Sequence, residues 1–175
     1  MRHIAIIGLG NGMEDAPRDV ECWGLPWGGD SSLDMYFEMH HKTVRPFTDE
    51  YIKKLAELDV PVLMQEKMEG ITNGVRFPKD AKEMMGNYIE SSTGYMLAYA
   101  IYLEADVIEL HGIGAPFDSH YVHQRANLEF MIGFARSRGI KIIINDKSEL
   151  MTSNWGAGIY GFDKNNLRAG TEYVN

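Results

Sequence analysis

Glu38 and His40 form the clearest candidate pair for proton transfer in the sequence. They stand two residues apart in a strand-like segment, and side chains two apart on a strand point to the same side. A carboxylate beside an imidazole can move a proton at neutral pH, because the ring takes up and releases its proton in that range. The alternative is that both side chains are solvated on an exposed strand. Glu129, on a later helix, is a third candidate for proton transfer.

Arg125 is the main candidate for binding an anion. It lies in the first turns of a helix predicted over 121–138, with Gln124 beside it as a second candidate ligand of a nucleotide. A guanidinium can hold a phosphate or a carboxylate through two parallel hydrogen bonds. The alternative is a surface ion pair with Glu129, four residues further on, which would be worth only about 0.3–0.5 kcal/mol.

A glycine-rich loop follows the first predicted strand. Residues 4–7 are all apolar, which is typical of a strand buried in a parallel sheet, and ligands bind beyond the carboxyl ends of such strands. Glycines there let backbone N–H groups approach a phosphate. The spacing G-x-G-x-G differs from the G-x-G-x-x-G of a dinucleotide site, so we expect no NAD. The alternative is that the glycines only form a tight exit from the strand. The candidates for nucleotide binding in this loop are Gly8, Gly10, Asn11, Gly12 and Asp15.

A second loop, 111–120, leaves another buried strand and runs into a helix. Its Gly112 is a candidate for nucleotide binding, because two such loops at one sheet edge would enclose a pocket. Histidines at several points of the chain also suggest a metal site. Their spacing lacks the HExxH pattern and the flanking carboxylates of such a site, so we expect no metal. These histidines are His40, His41, His111, His120 and His123.

The composition is typical of one globular domain inside the cell. A chain of 175 residues with 45% apolar residues can bury a single core. The net charge of −8 argues against a nucleic-acid partner, which requires clustered Lys and Arg. Cys22 is the only cysteine, so we expect no disulfide, no thiolate zinc site and a cytoplasmic location. We expect no signal segment and no membrane partner, since no apolar run approaches the ~20 residues of a membrane span.

The hydrophobic pattern predicts strands that alternate with helices. The second helix begins at Ser91 or Ser92 and is apolar nearly all round, as a buried helix is. Its Thr93 could hold an anion at the helix N-terminus, although capping explains this segment equally well. The succession of strand, helix and strand favours a single-domain, three-layer α/β fold with a mainly parallel, Rossmann-like sheet. Later strands are predicted at 20–25, 35–40, 60–64, 107–110 and 140–144, and another helix from the N-cap Thr48.

Two segments are less regular than the rest. Residues 65–88 are rich in turn signals, among them Asn73-Gly74, and predict a flap or a short hairpin. Residues 151–175 are rich in Gly, Asn and aromatic residues, and either extend freely or fold over the crevice. We therefore divide the chain into a Rossmann-like nucleotide-binding domain at 1–150 and a tail at 151–175.

Several motifs resemble those of known families. Most of the chain, to about Leu150, resembles uncharacterised Rossmann-like proteins encoded by tailed bacteriophages, which would place it in a host cytoplasm. More distantly, the Gly10-Asn11-Gly12 loop and the capped apolar helix are similar to pterin pyrophosphokinase-like Rossmann proteins and to bacterial sialyltransferases. Those families bind a nucleotide or nucleotide sugar at this sheet edge, but their loop has the sequence G-N-G-P-S, which is not reproduced here. The motifs that carry the resemblance are IIGLGNG at 6–12, FEMH at 37–40, TGYMLAYAI at 93–101 and QRANLE at 124–129.

The sequence supports three functional hypotheses. The first is a transferase whose substrate is a nucleotide or nucleotide sugar bound between loops 8–17 and 112–120. In it Arg125 neutralises phosphate, Asn11 and Asp15 position the nucleoside, and the three catalytic candidates move protons. The second is a protein that binds and sequesters a nucleotide without turnover. The third is a structural or interaction subunit that forms homo-oligomers. The residues identify no cofactor.

Overall fold

The computed structural model describes residues 1–28, 30, 32–41, 43, 47–116 and 122–152. Within these residues there are seven strands and four α-helices, and they alternate strictly only from α3 onwards. Residues 153–175, which include most of the proposed tail, lie outside the described part of the chain. The elements are β1 His3–Ile7, β2 Glu21–Gly24, β3 Met35–Glu38, α1 Asp49–Ala56, β4 Val62–Met64, β5 Gly74–Arg76, α2 Lys79–Met84, α3 Ser92–Tyr102, β6 Val107–His111, α4 Val122–Ser137 and β7 Lys141–Ile144.

The seven strands form one parallel sheet in the order β5-β4-β3-β2-β1-β6-β7. The chain adds strands on one side of β1 as far as β5, and then crosses to the other side of β1 for β6 and β7. The predicted α/β, Rossmann-like fold is therefore confirmed. In such a sheet ligands bind beyond the carboxyl ends of the strands, near the point where the strand order reverses, and here that point lies between β1 and β6.

Alternate side chains of the strands pack into two separate cores. Ile4 and Ile6 of β1 contact the core formed with α2, α3 and α4, whereas Ala5 and Ile7 contact the core formed with α1. The helix α3 is buried on most of its surface, as its apolar sequence predicts, and its residues from Met96 to Ala98 are fully buried. Because both faces of β1 are buried, its position fixes the loop that follows it.

The segment 65–88 is neither a flap nor a hairpin. Its strand β5 pairs in parallel with β4, and the helix α2 follows. The pair Asn73-Gly74 is typical of a hairpin turn but does not form one here, because the Asn73 amide binds backbone carbonyls of an earlier segment. Its Nδ2 lies 3.0 Å, 2.8 Å and 2.9 Å from the carbonyl oxygens of Leu55, Leu58 and Val60, at the carboxyl end of α1 and in the loop after it. Asn73 thereby holds the end of α1 against the start of β5.

We expect Asn73→Ala to lower the free energy of unfolding by roughly 1–3 kcal/mol, because three buried or half-buried carbonyls would lose their donor. Denaturant titration followed by circular dichroism measures this loss. Asn73 precedes β5, at the amino ends of the parallel strands, whereas the crevice lies at their carboxyl ends, so ligand binding should not change. An unchanged denaturation midpoint would show that water replaces the amide without cost.

Candidate functional site

A cavity of about 740 Å³ opens at the carboxyl ends of the central strands. We call it the crevice. The loop after β1 and the loop after β6 form one side, the ends of β2, β3 and β4 form the second, and the start of α3 with the first turns of α4 forms the third. The volume is within the range of small-molecule sites. Six of the residues predicted for the site line it: Gly8, Gly10, His40, Thr93, Gly112 and Gln124.

The glycines of the two loops pack directly against each other. Gly8 N donates to His111 O at 2.8 Å, and Gly10 N donates to Gly112 O at 2.7 Å. A Cβ on Gly8 would overlap Gly112 O, and Gly112 has a φ of +63°, where side chains are rarely found. These contacts support the alternative that the glycines are architectural. They also bring the two loops close enough to form one wall of the crevice.

The pair Glu38 and His40 has the geometry of an oriented imidazole. His40 Nδ1 lies 2.6 Å from Glu38 Oε1, and the same oxygen accepts a hydrogen bond from His40 N at 3.1 Å. The Glu38 side chain is fully buried, while that of His40 is 35% exposed at the crevice. Tyr51 of α1 donates its hydroxyl hydrogen to Glu38 Oε2. The carboxylate thus has partners on both oxygens, and its orientation is fixed.

Two residues beside His40 were not predicted from the sequence. The Trp27 ring lies 5.5 Å from the His40 ring, and both line the crevice. Gln65 follows β4 and donates from Nε2 to Met39 O at 2.5 Å, which leaves its amide oxygen as an acceptor on the same wall. A polar residue directly after a buried strand is the signal that could have identified Gln65.

The start of α3 contributes hydroxyl groups to the opposite wall. Ser91 is the N-cap, and its Oγ accepts a hydrogen bond from Gly94 N at 3.0 Å. Ser92 and Thr93 line the crevice beside it, and so does Tyr95. Burial raises the pKa of Tyr95, so its phenol stays protonated near neutral pH.

Arg125 lies behind the crevice and does not line it. Its guanidinium donates to Ala115 O at 3.1 Å, to Thr152 O at 3.1 Å and to Glu149 O, and it pairs with Glu129 Oε1 at 2.8 Å. Glu129 also accepts a hydrogen bond from Met151 N. The predicted partner Glu129 is thus present, but Arg125 is buried, so the pair is not the exposed surface pair that the sequence suggested. Phosphate binding by Arg125 and proton transfer by Glu129 stay predictions.

The far end of the first loop also turns away from the crevice. Asp15 and Glu14 both bind Lys147, with Nζ 2.9 Å and 2.6 Å from their carboxylate oxygens. The Lys147 ammonium lowers the pKa of both carboxyls, and they raise the pKa of Lys147 in return. Asn145 donates to Asp15 at 3.1 Å.

Gly12 and Asn11 belong to this same region. A Cβ on Gly12, at φ +85°, would overlap the Asn145 side chain, and Asn11 is exposed and lies outside the crevice lining. Nucleoside binding by Asn11, Gly12 and Asp15 therefore stays a prediction. It requires either a ligand that extends beyond the crevice or a movement of the loop.

In the described part of the chain no three His, Cys, Asp or Glu side chains converge as they would in a metal site. His111 instead shares Glu109 with His3, at 2.9 Å and 2.7 Å. His120 lies outside the described residues. None of the described helices has the length and apolar character that a membrane span needs.

Neither a family model nor a curated protein matches the sequence. A structural comparison does find similarity. The chain shares its fold with the sialyltransferase CstII from Campylobacter jejuni. The complex of CstII with the substrate analogue cytidine-5'-monophosphate superposes with a TM-score of 0.53 and 15% identity, over 82% of this chain and 79% of that chain. The complex with CMP-3FNeuAc gives a TM-score of 0.51 and 14% identity, over 82% of this chain and 81% of that chain.

The similarity to CstII concerns the fold, because identity at this level does not carry function. It confirms the fold-level resemblance to sialyltransferases that the sequence motifs suggest. The resemblances to bacteriophage proteins and to pterin pyrophosphokinases have no support from these comparisons. What the chain does must be argued from the crevice itself.

Proposed function

We propose that the chain is a transferase that binds a nucleotide-containing donor in the crevice and uses His40 as the general base. The observation that carries the proposal is the contact between His40 Nδ1 and the fully buried Glu38 carboxylate at 2.6 Å. Because the carboxylate can only accept, Nδ1 carries the ring proton and Nε2 is left as the basic nitrogen. His40 lines the crevice, so a substrate there can reach it.

The proposed reaction is a displacement at the donor carbon. His40 Nε2 takes the proton from an acceptor hydroxyl while the hydroxyl oxygen attacks the carbon attached to the donor phosphate. The bond between that carbon and the phosphate oxygen breaks, and the nucleotide leaves with the electron pair. Glu38 stabilises the imidazolium that forms, as the carboxylate does in other His–carboxylate pairs.

The charge of the crevice favours a donor with a single phosphate. The described residues that line it include no Lys or Arg, and its only acidic side chain is that of Glu90. Hydroxyl and amide groups of Thr93 and Gln124 are the proposed ligands. The backbone of Gly8, Gly10 and Gly112 forms the wall against which the donor packs, since the N–H groups of Gly8 and Gly10 already donate to His111 O and Gly112 O. The fold-level relative CstII was solved with CMP, a nucleotide of this type. Arg125, Asn11, Gly12 and Asp15 are kept as more distant candidates.

We expect nucleoside monophosphates to bind more tightly than the diphosphates of the same base. A second phosphate would add negative charge beside a lining whose described residues include no cationic side chain, in a protein of net charge −8, so we expect a difference of roughly tenfold. Calorimetric titration of CMP against CDP, and of the corresponding pairs for the other bases, measures it. EDTA is included because a divalent ion could neutralise the second phosphate. Tighter binding of the diphosphates would contradict this assignment.

Turnover separates the transferase from the two other hypotheses. Mass spectrometry of incubations with nucleotide sugars and a panel of hydroxyl acceptors should detect a released nucleotide and a conjugated acceptor. Tight binding with an intact donor would favour a sequestering protein. No binding tighter than about millimolar would count against every nucleotide hypothesis. A cover formed by residues 151–175, a cytoplasmic location and a bacteriophage origin stay predictions.

A further inference from the structure

Asn127 is a fully buried polar residue in the middle of α4. Its neighbours Leu128 and Met131 belong to the apolar core, and so an amide at this position needs a specific reason. A buried amide costs free energy unless both its donor and its acceptor are satisfied. The partners of Asn127 therefore indicate its purpose.

Both groups of the amide bind one short segment of backbone. Asn127 Nδ2 donates to Tyr88 O at 2.7 Å, and Asn127 Oδ1 accepts from Glu90 N at 3.2 Å. The first turn of α3 approaches the same oxygen, since a Cβ on Gly94 would lie 2.9 Å from Oδ1. Asn127 thus fixes the backbone that leads into α3, and Gly94 leaves room for it.

The segment that Asn127 holds forms one wall of the crevice. Residues 89–93 all line it, and this stretch includes the N-cap Ser91 and Thr93. The same helix α4 places Gln124 and Leu128 on the lining. One helix therefore carries two lining side chains and, between them, the amide that sets the distance to the neighbouring wall.

We propose that Asn127 is a positioning residue for the crevice: it acts through residues 88–93 to hold Thr93 and the start of α3 at the spacing that a bound nucleotide requires. The role rests on the proposed function, because it assigns the position of one wall of that same site. Asn127 does not touch the ligand. Its effect should appear in ligand affinity because a misplaced wall loses contacts even when every contacting side chain is intact.

The test compares Asn127→Ala with Asn73→Ala. The Asn73 side chain also binds backbone carbonyls through its amide, but it lies away from the crevice. Both substitutions should lower the denaturation midpoint. We expect only Asn127→Ala to weaken binding of CMP, by about 10- to 100-fold in calorimetric titration. Equal affinity for CMP in Asn127→Ala and the unmodified protein would overturn the proposal, as would an equal loss in Asn73→Ala.

Hydrogen exchange followed by mass spectrometry gives a second measurement that needs no ligand. In Asn127→Ala the amides of residues 88–94 should exchange roughly tenfold faster or more, while those of α1 stay unchanged. Unchanged exchange in 88–94 would overturn the proposal even if no nucleotide binds. If the unmodified protein fails to bind nucleotides but exchange rises as expected, the proposed function fails and the structural role of Asn127 stands. If Asn127→Ala does not fold, Asn127→Asp replaces it: this variant keeps the oxygen that accepts from Glu90 N and loses the donor to Tyr88 O, so exchange in 88–94 should again rise, and unchanged exchange would overturn the proposal.

Discussion

Replacing His40 with alanine should lower kcat by about 10²- to 10⁴-fold, the range that general base catalysis contributes, while the dissociation constant of the nucleotide stays the same. In the proposed reaction the imidazole takes a proton from the acceptor, so its loss would remove the base without removing the crevice. Steady-state kinetics with the donor and acceptor identified by mass spectrometry measures kcat, and calorimetry measures the affinity.

His41→Ala is the matched control for this experiment. His41 is the adjacent histidine, but its Nδ1 lies 2.7 Å from Thr43 Oγ1 and the residue is outside the crevice lining. We expect its kcat to be that of the unmodified protein. Glu38→Gln keeps the shape of the carboxylate and removes its charge, so it should also reduce kcat. Full activity in His40→Ala would remove His40 from the mechanism.

Gly8→Ala should lower the free energy of unfolding by roughly 3 kcal/mol, the upper part of the usual range for overpacking a core. The added Cβ would overlap Gly112 O, a backbone atom that can move only if the loop after β6 moves with it. For a chain of this length the corresponding decrease in Tm is roughly 6–12 °C. Thermal unfolding followed by circular dichroism or calorimetry measures this decrease.

Two other glycines provide controls for Gly8→Ala. Gly114 belongs to the same crevice wall, but a Cβ there would come no nearer than 3.8 Å to Pro116, so Gly114→Ala should change stability little. Gly133 is exposed on α4 with nothing within 4 Å of its Cβ position, and Gly133→Ala should stabilise the helix by about 0.5–1 kcal/mol. A Tm for Gly8→Ala equal to that of Gly114→Ala would show that the two loops separate easily.

The buried strands could be predicted from the sequence because burial on both faces leaves a simple pattern. Residues 4–7 and 107–110 are runs of mostly apolar residues, and the structure places them side by side as β1 and β6. Strand β5 had no such pattern. It has three residues at the edge of the sheet, with Val75 and Arg76 exposed, so neither its composition nor its length distinguishes it from a turn.

The contacts of the candidate site also differ in whether they can be predicted, because some join residues close in the sequence and others join distant segments. The contact between Glu38 and His40 joins residues only two apart, so it is local, although β3 ends at Glu38 and His40 follows the strand. The contacts of Arg125 could not be predicted in this way. Helical periodicity gives the face of the helix on which Arg125 lies, but not the backbone carbonyls that the rest of the chain places against that face. The role of Asn127 could not be predicted either, since its partners are backbone atoms of Tyr88 and Glu90, and backbone contacts leave no pattern in the sequence.

The position of β1 in the sheet affects the order in which the chain can fold. β1 pairs with β2 soon after it in the sequence, but its other neighbour, β6, begins only at Val107. During synthesis, β1 must therefore remain an open apolar edge while most of the protein is made, a state that favours association with other chains. Pairing over such a distance along the chain is slow because a long loop must close first. The Gly8 and Gly112 loops meet only in that step, so a nascent chain that ends before β6 can have strands and helices but no crevice.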